Sequence, residues 1–222
     1  MRYFLIAIVI LTFLSCSDSG TRTAETEHPQ EATNKTSPSD TTPSKPETIV
    51  ATPALDSAFL IVPGQRIGQI SLGETAEKIT STLGQPDSGD AAMGKALSFW
   101  LGKGRHKQNY VAVYFSRNFD GGPEDLLARQ IRVNSPSFKT IENVGIGNNI
   151  STIRQHHILQ PIAYYLNPQQ QRTYIFDDTP AGIAFEITTP DSTCTAITIH
   201  QKGENVTNSY LPVYPDLIRL NR

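Results

Sequence analysis

The side chains able to do chemistry here are five histidines, two cysteines and a few dense charge clusters. His156 and His157 are adjacent, with His200 distant in sequence. Neighbouring residues on a helix point about 100° apart, so these imidazoles diverge where an i, i+4 pair would converge on a metal. No carboxylate stands at ligand spacing either, so no metal site is expected, and His157 reads as a packing residue. Asp177 and Asp178 adjoin Thr179-Pro180-Ala181-Gly182, a turn in which Asp serves the backbone rather than a catalytic pair. The sequence holds no Gly-x-Ser-x-Gly elbow, Walker loop or His-Glu-x-x-His helix, so no catalytic residue and no cofactor is expected.

The cysteines are Cys16 and Cys194, too few for a disulfide framework or a four-cysteine zinc site. Cys16 closes a segment with one positive charge, Arg2, and an apolar run of 12 residues from Tyr3 to Leu14 broken by Thr12. A membrane-spanning helix needs about 20 residues, so this run fits the apolar part of a secretory signal instead. Leu14-Ser15-Cys16 resembles the lipobox of bacterial lipoprotein signals, although Phe13 stands where Leu is usual. The resemblance implies that Cys16 is lipidated, becomes the new N-terminus and anchors the chain to a membrane, each buried methylene contributing about 0.8 kcal/mol. Ser17 takes the place of the Asp that resembles an inner-membrane retention signal, so the outer membrane is preferred. An ordinary signal peptide cleaved nearby would instead leave Cys16 as a free thiol. Cys194, in the strand-like Ser-Thr-Cys-Thr-Ala-Ile-Thr-Ile, reads as a buried structural thiol.

Two further groups are candidate binding residues. Lys103, Arg105, His106 and Lys107 form the densest basic cluster, at the expected tip of a hairpin, where they can meet an anionic surface or simply be solvated. In the strands flanking that tip, Leu97, Phe99 and Leu101 alternate with Ala96, Ser98 and Trp100, and Val111, Val113 and Phe115 alternate with Tyr110, Ala112 and Tyr114. If helices cover the leucine and valine side, Trp100, Tyr110 and Tyr114 point to the open face. Exposed aromatics on a rigid sheet make good interface anchors. The competing reading covers that face with the second half of the chain, the tether or the C-terminal segment.

These residues must be positioned by three compositionally distinct pieces. Residues 17–48 are Ser, Thr, Pro and charged residues without aromatic or large aliphatic side chains, so they are expected to be a disordered tether spanning roughly 30 Å. Its six acidic residues (Asp18, Glu25, Glu27, Glu31, Asp40, Glu47) outnumber Arg22, Lys35 and Lys45. With those and Arg2 removed from the chain's 21 acidic and 19 basic residues, residues 49–222 hold 15 of each. That neutrality gives no reason to expect a nucleic-acid partner.

Within residues 49–203 a pattern recurs at an offset of 74: Ile70, Leu72, Gly73 and Ile79 fall on Val144, Ile146, Gly147 and Ile153. Each copy reads as a short strand, a glycine turn and a helix start. Ala76, Ile79 and Leu83 continue the first helix, with Glu74 and Thr75 at its start and Gly84 and Pro86 ending it. Ile150, Ile153 and His157 continue the second, ended by Pro161. Strands are expected at 95–101, 109–116, 128–134, 173–177, 182–188 and 195–201.

The stretch Ile70-Ser71-Leu72-Gly73-Glu74-Thr75, then Ile79, then Leu83-Gly84-Gln85-Pro86, resembles the signature of bacterial envelope lipoprotein domains of the SmpA/OmlA (BamE) type and of the repeats in β-lactamase inhibitory protein. Residues 64–138 carry the better copy; 139–203 lack the Leu-Gly before Pro161. The resemblance implies an α+β fold: two tandem repeats, each a short helical segment followed by an antiparallel three- to four-stranded sheet, helices on one face. It also implies a binding or assembly role in the envelope of a diderm bacterium.

The expected organisation is thus a signal at 1–16, a tether at 17–48, a first repeat at 49–138, a second at 139–203 and a docking segment at 204–222, too apolar to hang free. The expected function is a lipid-anchored, non-enzymatic module that binds another envelope protein. The alternatives are a periplasmic hydrolase or glycan-active enzyme using carboxylates or His157, and a structural lipoprotein without a dedicated partner.

Overall fold

Thr75 opens the longest helix among the described residues, its hydroxyl accepting from the Lys78 amide at 3.2 Å, while the Glu74 carboxylate turns back to accept from the Ser71 amide. The computed structural model describes residues 56–117, 125–206 and 216–220, all within one compact unit, Val50–Arg222. After a 3-10 turn at Ser57–Phe59 come β1 (Leu60–Val62), β2 (Arg66–Ile67), β3 (Ile70–Ser71) and helix α1 (Ala76–Leu83). Then follow β4 (Ser88–Ala92), β5 (Lys95–Leu101), β6 (Tyr110–Arg117), β7 (Leu126–Val133), β8 (Lys139–Thr140) and α2 (Ile150–Ile153). The chain continues through β9 (Gln160–Leu166), β10 (Arg172–Asp178), β11 (Ile183–Thr188), β12 (Thr193–His200) and β13 (Ile218–Arg219).

The expected α+β class of two tandem helix-plus-sheet repeats is contradicted. The described residues are mostly β, with 13 strands in two sheets and helices of only eight and four residues. One sheet has nine strands in the order β13-β9-β10-β11-β12-β7-β6-β5-β4; the other has four, β3-β2-β1-β8. The reason lies at the junction. β7 and β12 pair directly, Ile131 opposite Ile199 and Val133 opposite Ile197, so the halves share one ladder instead of closing separate sheets. The short strand expected ahead of the first helix, at Ile70, is part of the small sheet, in which β1 runs antiparallel to β2 and parallel to β8. Asn149 caps the start of the second helix on the Ser151 amide, but the chain leaves the helix after Ile153, well before Pro161.

The core lies between the large sheet and the layer formed by α1, α2 and the small sheet. Ile131, Val133, Ile183, Phe185, Ile197 and Ile199 from the sheet meet Ile61, Ile67, Ile79 and Ile153, all essentially inaccessible to water. Each such side chain contributes about 1.5–3 kcal/mol by burial. A smaller cluster, Ile162, Ala163, Ile175, Ala184 and Val206, holds the opposite face with Leu217 packed against it. Near the C-terminus Ile218 and Arg219 pair with Tyr164 and Ala163 of β9. Among the described residues no helix is long and apolar enough to cross a membrane.

Candidate functional site

The tip joining β5 to β6 is held by its own backbone. The Gly102 amide donates to the Asn109 carbonyl at 2.7 Å, His106 to Lys103 at 3.1 Å and Asn109 to His106 at 2.8 Å. Gly102 is required there, since a Cβ at that position would stand 2.1 Å from the His106 carbonyl oxygen. On this frame Lys103, Arg105, His106 and Lys107 are all exposed, with Arg105 Nε donating to His106 Nε2 at 3.1 Å.

Beside the tip is a groove of about 270 Å³. Leu83, Trp100, Val111 and Phe138 give it an apolar floor, and His106, Asn109, Tyr110, Ser135 and Ser137 give it polar walls. Trp100 is fixed by its indole N–H, which donates to the Gly84 carbonyl at 2.9 Å. Gly84 ends α1 at a positive φ, +86°, which glycine adopts readily, so the helix terminus supplies the acceptor that orients the indole. Tyr110 is fixed by its amide, which donates to Asn134 Oδ1, by the Phe99 ring edge-on at 5.7 Å, and by the Arg132 guanidinium 5.2 Å above its ring.

The structure corrects the proposed aromatic face. Trp100 pairs with Val111, Ser98 with Val113 and Ala96 with Phe115, and residues directly opposite share a face. Trp100 therefore points toward the helices and is buried, 8% exposed, while Leu101 is 45% exposed. The alternation within each strand holds, but β5 is flipped relative to the expectation. Both of its faces carry apolar residues, so period two alone did not say which turns inward. Tyr114 lies on the expected open face yet is buried, and Tyr110 is half-buried. Trp100 and His106 border one groove that Tyr110 also lines, but the Tyr110 ring, against Phe99 and Arg132, lies on the opposite face of the sheet from Trp100; Tyr114 is not part of the groove. Cys16 lies outside the described residues.

The other chemically capable groups are engaged internally. His157 Nδ1 is 3.0 Å from Asp178 Oδ2, with its ring 4.9 Å from Phe185, as the packing reading expected. Asp178 also accepts from the Ile158 amide. His200 Nε2 is 3.0 Å from Asp177 Oδ1, and Asp177 accepts in addition from the Thr179 hydroxyl and the Val206 amide. Adjacent on β10, the two aspartates serve opposite faces of the sheet. Cys194 is buried, and burial pushes its thiol well above the ordinary range. Among the described residues no three His, Cys, Asp or Glu side chains come together as metal ligands.

Sequence reasoning missed Phe138, Ser135 and Leu83 as groove residues, because they arrive from separate elements. It also missed a buried triad on the opposite face, in which Arg132 binds Glu186 and the Tyr165 hydroxyl donates to Glu186 Oε2 at 2.6 Å. A charge between apolar neighbours in each strand (Ile131-Arg132-Val133, Phe185-Glu186-Ile187) was the available signal, but it reads equally as a solvated face.

No family model matches the chain, and no curated protein matches it. Among solved structures, a cysteine-rich secretory protein from Staphylococcus aureus subsp. aureus Mu50 is similar at 13% identity and a TM-score of 0.40, covering 67% of this chain. The match spans about half of that protein, 48% of its length.

Proposed function

We propose that this chain is a lipid-anchored binding module of the bacterial cell envelope, tethered through Cys16, that docks an envelope protein at the β5–β6 tip. It acts by binding rather than by turnover, from the outer membrane. The observation carrying this reading is the juxtaposition of Lys103, Arg105, His106 and Lys107, all exposed on a backbone-locked tip, with a groove floored by Trp100 and Phe138. Charge at the rim steers and orients an acidic partner, and the apolar floor supplies the burial that holds it. The signal, the lipobox-like Leu14-Ser15-Cys16 and the polar tether support the anchored placement.

The test uses the full chain in its native membranes with a photo-crosslinker at Gln108, an exposed tip residue. A protein adduct lost in Lys103→Glu/Arg105→Glu/Lys107→Glu, with the unfolding midpoint unchanged, is the expected result. Adducts to lipid alone, or a protein adduct indifferent to charge reversal, overturn the docking role. Cys16→Ser is expected to release the chain from membranes, and retention overturns the anchor.

A further inference from the structure

The large sheet consists of two four-stranded meanders, β4–β7 and β9–β12, joined where β7 meets β12, so β4 and β9 are their equivalent outer strands. The two are treated differently. β9 is capped by the chain's own C-terminal strand, Ile218 and Arg219 running antiparallel to Tyr164 and Ala163, with the Leu220 amide extending the ladder to Ile162 at 2.9 Å. Among the described residues β4 pairs only with β5, and all five of its residues, Ser88-Gly89-Asp90-Ala91-Ala92, are exposed.

An edge strand turns every second residue's N–H and C=O to solvent, and proteins usually blunt such edges with Pro, Lys, bulges or covering segments. β4 has no Pro or Lys and an unbroken register from Ser88↔Phe99 to Ala92↔Lys95. Its side chains are small, so among the described residues none blocks a further strand. A row of alternating backbone donors and acceptors recognises an extended polypeptide above any other ligand.

We propose that β4 receives an extended segment of a partner protein as a tenth, antiparallel strand, in trans as β13 caps β9 in cis. The chemistry of that segment follows from what lies at its end. Ser88 sits beside Phe99, and the Asp87 carboxylate accepts from the Leu101 amide at 2.8 Å, so the Ser88 end of β4 adjoins the basic tip. A strand antiparallel to β4 finishes at that end, so its C-terminal portion carries acidic residues facing Lys103, Arg105 and Lys107. The acidic preference rests on the docking role proposed for the tip; the added strand rests on the bare edge alone.

Photo-crosslinkers placed singly at Ser88, Asp90 and Ala92 of the full chain in native membranes test this. The expected adducts map to one stretch of another protein in reverse order, two residues apart, with the acidic end joined to position 88. Adjacent edge residues alternate in N–H direction, so one of Asp90→Pro and Ala91→Pro spares the β5 ladder. The variant that keeps the unfolding midpoint is expected to abolish the adducts. Reversing Lys103, Arg105 and Lys107 to Glu is expected to lower adduct yield roughly tenfold without changing the register. Adducts to a second copy of this chain, adducts without reverse register, or none at all, overturn the added strand. Registered adducts indifferent to charge reversal keep the strand and overturn the role of the tip.

Discussion

Arg132 grips Glu186 with two nearly parallel hydrogen bonds, Nε to Oε1 at 2.6 Å and Nη2 to Oε2 at 2.7 Å, across the strand between them. Arg132 belongs to β7 and Glu186 to β11, so the pair spans the seam where the halves of the large sheet join. Both side chains are buried. Removing one partner leaves a charge in a poorly solvated place, so Glu186→Ala is expected to cost about 3–5 kcal/mol. The double variant Arg132→Met/Glu186→Leu is expected to cost much less than the sum of the single changes. Urea denaturation of the four proteins checks this, and additivity would rule the coupling out.

Trp100 is a second anchor, this time between the sheet and α1. Trp100→Ala is expected to cost about 3–5 kcal/mol from lost packing, and Trp100→Phe about 1 kcal/mol more than packing alone accounts for, because the Gly84 carbonyl loses its donor. Charge reversal at the tip is expected to leave the urea midpoint unchanged. That contrast separates a core residue at the groove floor from exposed ones at its rim.

What was legible in the sequence is local. Thr75, Ile79 and Gly84 announce α1 because a cap, a spacing and a stop each act within a few residues. Alternation found most strands of the large sheet. β4 was invisible because Ser-Gly-Asp-Ala-Ala has no β-branched or aromatic residue, and only its register with β5 makes it a strand. β9 was hidden by Pro161, read as a helix stop; the proline is tolerated where the register to β10 shifts between Ile175 and Phe176. At the site, the basic tip was visible as a charge run. The inward turn of Trp100, and the burial of Arg132 with Glu186, depend on which elements cover each face, and no short-range pattern encodes that.

Cys194 gives a pH signature. Burial raises its thiol in the native state, so only the unfolded chain ionises it in the mildly alkaline range. Its contribution is fully present below the unfolded thiol value of about 8.5 and declines by roughly 1.4 kcal/mol per pH unit above it. Unfolding free energy is therefore expected to fall more steeply above that pH in the native sequence than in Cys194→Ala. Alkylation by iodoacetamide is expected only after denaturation. Equal slopes, or rapid labelling of Cys194 itself in the native chain, would contradict the buried assignment.

Gly102 joins fold to function most directly. A methyl group there would meet the His106 carbonyl oxygen at 2.1 Å, a backbone atom that moves only if the tip opens. Gly102→Ala is expected to cost about 1–3 kcal/mol, the usual range for forcing atoms into occupied space. The basic residues themselves remain, so a partner held only by net charge would still bind the variant. If the fixed geometry of the tip matters, crosslinking from Gln108 falls with Gly102→Ala even below the unfolding transition. Retained crosslinking in a folded Gly102→Ala protein would show that the charges act without the frame.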